Sequence, residues 1–131
     1  MTRFEIEIEV QPKDIDSQGH VNNVQYLRWV QDVAVAHWKA AASPEDQEAL
    51  TWVVVRHEID YRRPAYVGER LILKTWVGLA TRLRFERLTE ILRPADGVVV
   101  AEARSLYCPI SRASGKPTAV RPEVRAFFSV G

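Results

Sequence analysis

The sequence predicts a two-layer α+β fold, an antiparallel sheet of about five strands curling around one long central helix. Three observations lead to it. Residues 22–42 carry apolar side chains at spacings of three and four, the period of a helix. Five other stretches alternate apolar and polar residues or run rich in valine, as half-buried strands do. The connections among the last four are mostly short, which implies antiparallel neighbours.

Residues 4–10 put Phe4, Ile6, Ile8 and Val10 on one face with glutamates between them, a strand with one dry and one wet face. Pro12 and Gly19 then break the pattern into a polar loop. In the helix that follows, Val24, Leu27, Val30, Ala34, Trp38 and Ala41 form the apolar stripe, and Asn22 or Asn23 supplies the cap. Ser43 and Pro44 open a second, short helix as cap and first-turn residue. Strands are expected over 51–61, 70–77, 82–92 and 98–109. Val67-Gly68-Glu69 turns the chain before the second of these, and Pro94-Ala95-Asp96-Gly97 joins the last two as a hairpin. Residues 121–128 read as a short terminal helix with Pro122 in its first turn.

At 131 residues the chain has the size of one domain, and residues 1–131 are expected to form one. Folding at this length buries roughly two thirds of the open chain's surface. A composition of 47% hydrophobic and 27% charged residues excludes general disorder. The 18 basic and 17 acidic residues, net +1, exclude a dedicated nucleic-acid binder, which would concentrate basic charge. Fourteen of the cations are arginine, whose fork matches phosphate, although arginine bias in a GC-rich genome is the plainer reading. The single cysteine, Cys108, excludes an intramolecular disulfide and a cysteine-based zinc site, and fits a reducing cytosol. No metal or cofactor is expected. The first residues alternate charge with apolar side chains, unlike a signal peptide, and no apolar run approaches the ~20 residues of a membrane span. A cytoplasmic protein with no membrane partner is the expectation.

The chemistry concentrates in D-I-D-S-Q-G-H-V-N-N-V-Q-Y, residues 14–26. Two carboxylates, a histidine and two asparagines run straight into an amphipathic helix. A helix N-terminus offers free backbone N–H groups and a positive dipole end, which can polarise a carbonyl and hold a developing oxyanion. A nearby carboxylate could attack that carbonyl or activate water. The same residue types are also what loops and caps prefer for purely structural reasons. Pattern alone leaves both readings open, as it leaves open hot-dog and cystatin-like versions of the fold.

This segment resembles the catalytic segment of hot-dog-fold acyl-CoA thioesterases of the 4-hydroxybenzoyl-CoA thioesterase-like group, matching D-x-D-x-x-G-H-V-N-N-x-x-Y. The resemblance continues through R-H-E-I-D-Y-R-R-P-A-Y-V-G-E at 56–69 and P-E-V-R-A-F-F at 122–128, so it spans nearly the whole chain. It implies a hot-dog fold and hydrolysis of an acyl-CoA, or acyl-carrier-protein, thioester. Asp16 is implied as the catalytic carboxylate, and Asp14 as a loop-stabilising one. His20 and Gln18 fall where plant acyl-carrier-protein thioesterases, a related branch, use His and Asn. Asn23 falls where a backbone N–H is proposed to bind the thioester oxygen. Gly19, Tyr26 and Arg82 complete the implied substrate contacts, Arg82 by analogy with relatives that bind the phosphates of coenzyme A on that strand. Substrate tunnels in this fold lie between protomers, which implies a homodimer or homotetramer.

One departure stands out: many relatives carry Glu five residues after the motif tyrosine, and this chain has Gln31 followed by Asp32. An amide is no general base, and Asp32 is expected about 100° further around the helix. His57 is expected on one strand face with Val53, Val55, Ile59 and Tyr61, as a packed core or interface histidine. Glu58, Asp60 and Arg56 on the other face suit an ion-pair network, and Cys108 reads as core filler. Two alternatives share the fold: a hydratase or dehydratase moving protons with His20 and Asp16, and a non-catalytic acyl-thioester-binding protein.

Overall fold

The computed structural model describes residues 3–128. The chain forms strand β1 (Phe4–Glu9), a 3-10 turn (Pro12–Asp14), helix α1 (Asn23–Ala41), helix α2 (Pro44–Ala49), strands β2 (Leu50–Tyr61), β3 (Arg70–Ala80), β4 (Phe85–Arg93) and β5 (Val98–Ser111), and helix α3 (Pro122–Phe128). The strands make one antiparallel sheet in the order β1-β3-β4-β5-β2, with α1 packed against its inner face. This is the hot-dog arrangement expected from the sequence.

The order of the sheet corrects one expectation. β2 and β3 follow one another in the chain but are not neighbours, because β2 bonds to β5 while β3 lies between β1 and β4. Residues 62–69 therefore cross three inter-strand steps, ~14 Å, within the ~26 Å that eight residues can span. Backbone bonds hold the crossing down: Arg62 N–H to Val100 O at 2.9 Å, Val21 N–H to Ala65 O at 2.9 Å and Gly68 N–H to Val10 O at 2.9 Å. Gly68 takes a φ of +84°, which only glycine adopts cheaply.

Helix α1 starts where expected, and Asn22 is the cap: its Oδ1 accepts from Val24 N–H at 2.9 Å. The buried stripe differs from the expected one. It runs Tyr26, Trp29, Val30, Val33, Ala34, His37, while Val24 is 56% exposed. Apolar residues cover more than half of this helix, and the sheet takes the side that carries the aromatic rings. Leu71, Leu73, Ile91 and Val100, all fully buried, meet them from the strands. Truncating any of these leucines would cost about 2–5 kcal/mol, transfer and cavity terms together.

Two local irregularities also differ from the sequence reading. A bulge lies between Val54 and Arg56, so the alternation of β2 flips there. Val53 and Val55 are exposed, and His57 shares the inward face with Trp52, Val54 and Ile59 instead. Strand β4 begins at Phe85, so Arg82 sits in the turn at 81–84, closed by Thr81 N–H to Arg84 O at 2.8 Å and Arg84 N–H to Thr81 Oγ1 at 3.2 Å. Cys108 is buried, as expected. Val124 of α3 is fully buried against Val77 and Phe85. The side chains of Phe127 and Phe128, named in the terminal motif, lie outside the described residues.

Candidate active site

The segment between β1 and α1 is a pinned hairpin of backbone. Asp14 is buried, and its Oδ2 accepts from Gln11 N–H at 2.8 Å while its carbonyl accepts from Asn22 N–H at 2.9 Å. Asp14 is thus the loop's internal brace. Ile15 and Val21 bridge the two arms, and Asp16 N–H donates to His20 O at 3.0 Å. At the tip, Gly19 N–H donates to Asp16 O at 3.1 Å and Gln18 N–H to Asp16 Oδ1 at 2.8 Å. Gly19 makes the turn possible with a φ of +88°.

These bonds hold Asp16 half-buried on the loop that runs into α1, whose first turn has Val24 N–H and Gln25 N–H taken up by Asn22. Asn23, the first residue of that turn, is exposed, and its carbonyl accepts from Tyr61 OH at 3.3 Å. His20 is half-buried, with Nδ1 donating to Val21 O at 3.3 Å, which leaves Nε2 to accept. Asp16 and His20 therefore share one loop, and Asn23 opens the helix that this loop leads into. An oxyanion at such a helix end is favoured by the helix dipole.

The other expected contacts fall elsewhere. Tyr26 belongs to the core, edge-on to Trp29 at 5.5 Å and Tyr61 at 5.6 Å, and burial pushes its phenol up to about 12. It supports the loop from below and does not face solvent. Gln18 is exposed at the turn, its backbone engaged with Asp16. Arg82 lies at the far end of β3, whose first residue stands beside the Asp16 end of the sheet. Eleven residues of strand separate the two ends by roughly 33 Å, so one chain does not bring Arg82 and Asp16 together.

Sequence reasoning missed a cavity of about 500 Å³ beneath the second half of α1. Trp38, Trp52 and Phe85 wall it in a chain of edge-to-face rings at 5.5 and 5.0 Å, and Gln31 and Asp32 both border it. The buried charge in its wall is Arg87, on the inward face of β4, whose Nη1 donates to His37 Nδ1 at 3.0 Å and to Thr75 Oγ1 at 3.2 Å. The signal was present in the alternation of β4, where Phe85, Arg87, Thr89 and Ile91 point inward and an arginine stands where packing alone would call for leucine. His37 reads in sequence as one more helix residue; only its burial beneath Phe4, stacked at 5.1 Å, marks it.

Among the described residues no group of His, Cys, Asp and Glu could hold a metal ion, and no helix is long and apolar enough to cross a membrane.

A family model described as the thioesterase-like superfamily matches residues 10–128. The long-chain acyl-CoA thioesterase FadM of Escherichia coli K12 is 26% identical over 127 residues, covering 93% of this chain and 94% of the relative. Among solved structures, Slr0204 of Synechocystis, a 1,4-dihydroxy-2-naphthoyl-CoA thioesterase, superposes with a TM-score of 0.84 at 21% identity, covering 97% of this chain and 96% of that one. SAV2348 of Staphylococcus aureus, solved in complex with CoA, superposes with a TM-score of 0.85 at 14% identity, covering 96% and 81%. At these identities the two structures establish the fold.

Proposed function

The chain belongs to the thioesterase-like superfamily, and on that premise we propose that this thioester hydrolase cleaves acyl-CoA to a free carboxylic acid and CoA, with Asp16 as the reacting carboxylate. The observation that carries the reading is Asp16 held by its own turn on the loop that runs directly into the N-terminus of α1. In the proposed reaction the thioester oxygen points at the backbone N–H of Asn23. Asp16 takes a proton from water as the water oxygen bonds to the carbonyl carbon, or adds to that carbon itself to give an anhydride that water then opens. The tetrahedral oxyanion collapses, the C–S bond breaks, and CoA leaves as a thiolate that takes up a proton. His20, accepting at Nε2, orients the water or substrate.

The active unit is read as a two-fold dimer joined along β2. At the other sheet edge, β1 alternates Glu5, Glu7 and Glu9, charges that discourage pairing, whereas β2 presents exposed Val53 and Val55. β2 also runs from one functional end to the other: Leu50, Thr51 and Trp52 border the cavity, and Tyr61 touches Asn23. Antiparallel pairing of two β2 strands would set one chain's Asp16 end beside the other's cavity and Arg82. The 33 Å that separates these parts within a chain then becomes the reason for the dimer.

The test is free-thiol release from a panel of short, long and aromatic acyl-CoAs by wild type and Asp16→Asn side by side. Release that collapses in the variant supports the assignment. Equal release by a folded variant removes Asp16 from the chemistry, and no release from any substrate removes acyl-CoA hydrolysis.

A further inference from the structure

Arg87 is costly where it stands. Its guanidinium is stripped of water by the sheet and helix, and burial lowers its pKa to about 10, so it remains protonated at neutral pH. Buried ions can often be replaced by apolar side chains at no loss of stability, so a cation kept in a core position suggests a use other than packing. The neighbourhood also fixes its direction. Thr75 Oγ1 donates to Leu88 O at 2.9 Å, which presents its lone pairs to Arg87, and His37 offers a ring nitrogen from the helix above. The result is a positive charge set rigidly in the wall of a cavity where Trp38, Trp52, Phe85 and Val77 supply apolar surface, while the partly or fully exposed Gln31, Asp32, Lys39 and Arg112 also border it. Tyr107 stands on the same wall, and burial pushes its phenol up, so it faces the cavity as a neutral hydroxyl.

A plain hydrocarbon end placed against such a charge gains packing and nothing from the guanidinium. An oxygen bearing negative charge gains both, because charge-assisted bonds strengthen away from water and the arginine fork matches a carboxylate. We propose that this cavity is the acyl site and that Arg87 makes it selective for acyl groups carrying an acceptor oxygen, above all a carboxylate, at the end remote from the thioester. The inference rests on the acyl-CoA thioesterase reading, and it adds the class of acyl group. Aromatic walls admit planar as well as flexible chains; the oxygen is what Arg87 selects.

The experiment uses matched substrates, hexanoyl-CoA and the adipic acid monothioester of CoA, which differ only in a terminal carboxylate. Wild type should favour the carboxylated substrate in kcat/KM by roughly 10- to 100-fold, the worth of a hydrogen bond to a charged group. Arg87→Met should bring the ratio to about one or below, and Arg87→Lys should retain part of it. In parallel, tryptophan fluorescence is titrated with hexanamide and the monoamide of adipic acid, which differ only in a terminal carboxylate; the carboxylated amide should bind wild type more tightly, and this difference should vanish in Arg87→Met. Were that variant not to fold, wild type and Arg87→Lys decide. Turnover without preference in wild type, or a preference that survives in Arg87→Met, overturns the role of Arg87. No turnover of either thioester, with the carboxylated amide still preferred in the titration, would instead sink the thioesterase reading and leave the anion site standing.

Discussion

Nη1 of Arg87 donates to Nδ1 of His37 across the interface between β4 and α1, at 3.0 Å. The bond requires a neutral imidazole with its lone pair on Nδ1, and the core enforces that form. Burial first, and the Arg87 charge second, lower the His37 pKa to about 4.

This depression predicts an acid-sensitive fold. The unfolded chain binds a proton at His37 near pH 6.5, while the folded chain resists it until about pH 4. Stability is therefore greatest above pH 6.5, falls as pH drops through the interval between the two values, and changes no further on this account below it. The loss amounts to about 3 kcal/mol. His57, whose pKa burial also lowers, adds a loss of the same sign. Urea midpoints measured at pH 7.5 and 5.0 should show the drop, and His37→Gln, which keeps an acceptor for Arg87, should flatten most of it. An unchanged slope in that variant would place the acid sensitivity elsewhere.

Asp16→Asn should lower kcat by about 10²- to 10⁴-fold, the range for a positioned acid–base group, with the fold intact. Its amide oxygen can still accept from Gln18 N–H, so the turn survives the change. His20→Ala should lose less if His20 only orients, since Asp16 and the helix end remain. An equal loss in the two variants would argue for proton transfer through His20.

The proposed cross-protomer site makes a mixing prediction. Asp16→Asn disables one half of the composite site, and Val35→Trp, at an exposed cavity-lining position, blocks the other. Neither homodimer should turn over. Equal mixing with free exchange should restore about a quarter of the wild-type rate, because half the dimers then hold one intact site. Silence of the mixture, with exchange shown by a tagged chain, would mean that each chain works alone.

Asn22→Ala removes the side chain that accepts from Val24 N–H at 2.9 Å. The expected cost is about 1 kcal/mol in stability, read as a lower urea midpoint. Because the same turn forms the proposed oxyanion site, kcat should fall as well. A stability loss with unchanged kcat would show that the first turn of α1 is tethered well enough without its cap.

Local rules made most of the secondary structure legible. Glutamate–isoleucine alternation gave β1, proline and serine marked α2, and Asn22 or Asn23 was readable as a cap before any coordinates. The motif around Asp16 was legible too, since its turn is built from neighbours: Gln18, Gly19 and His20 all bond within four residues of it. What decides these features lies within a few positions along the chain, so the sequence carries them openly. The bulge at Val55, the crossing of 62–69 and the burial of His37 and Arg87 are of another kind. Each depends on partners far away in sequence, with fifty positions between His37 and Arg87. An arginine in a strand reads as solvated until the helix above it is in place; then the same side chain becomes a buried charge facing a cavity. Sequence by itself determined the elements and the reacting loop, because hydrogen bonding and capping act locally. Tertiary structure alone decided which strands meet, which face of α1 is dry and what lines the cavity, because desolvation is a property of everything packed around a group.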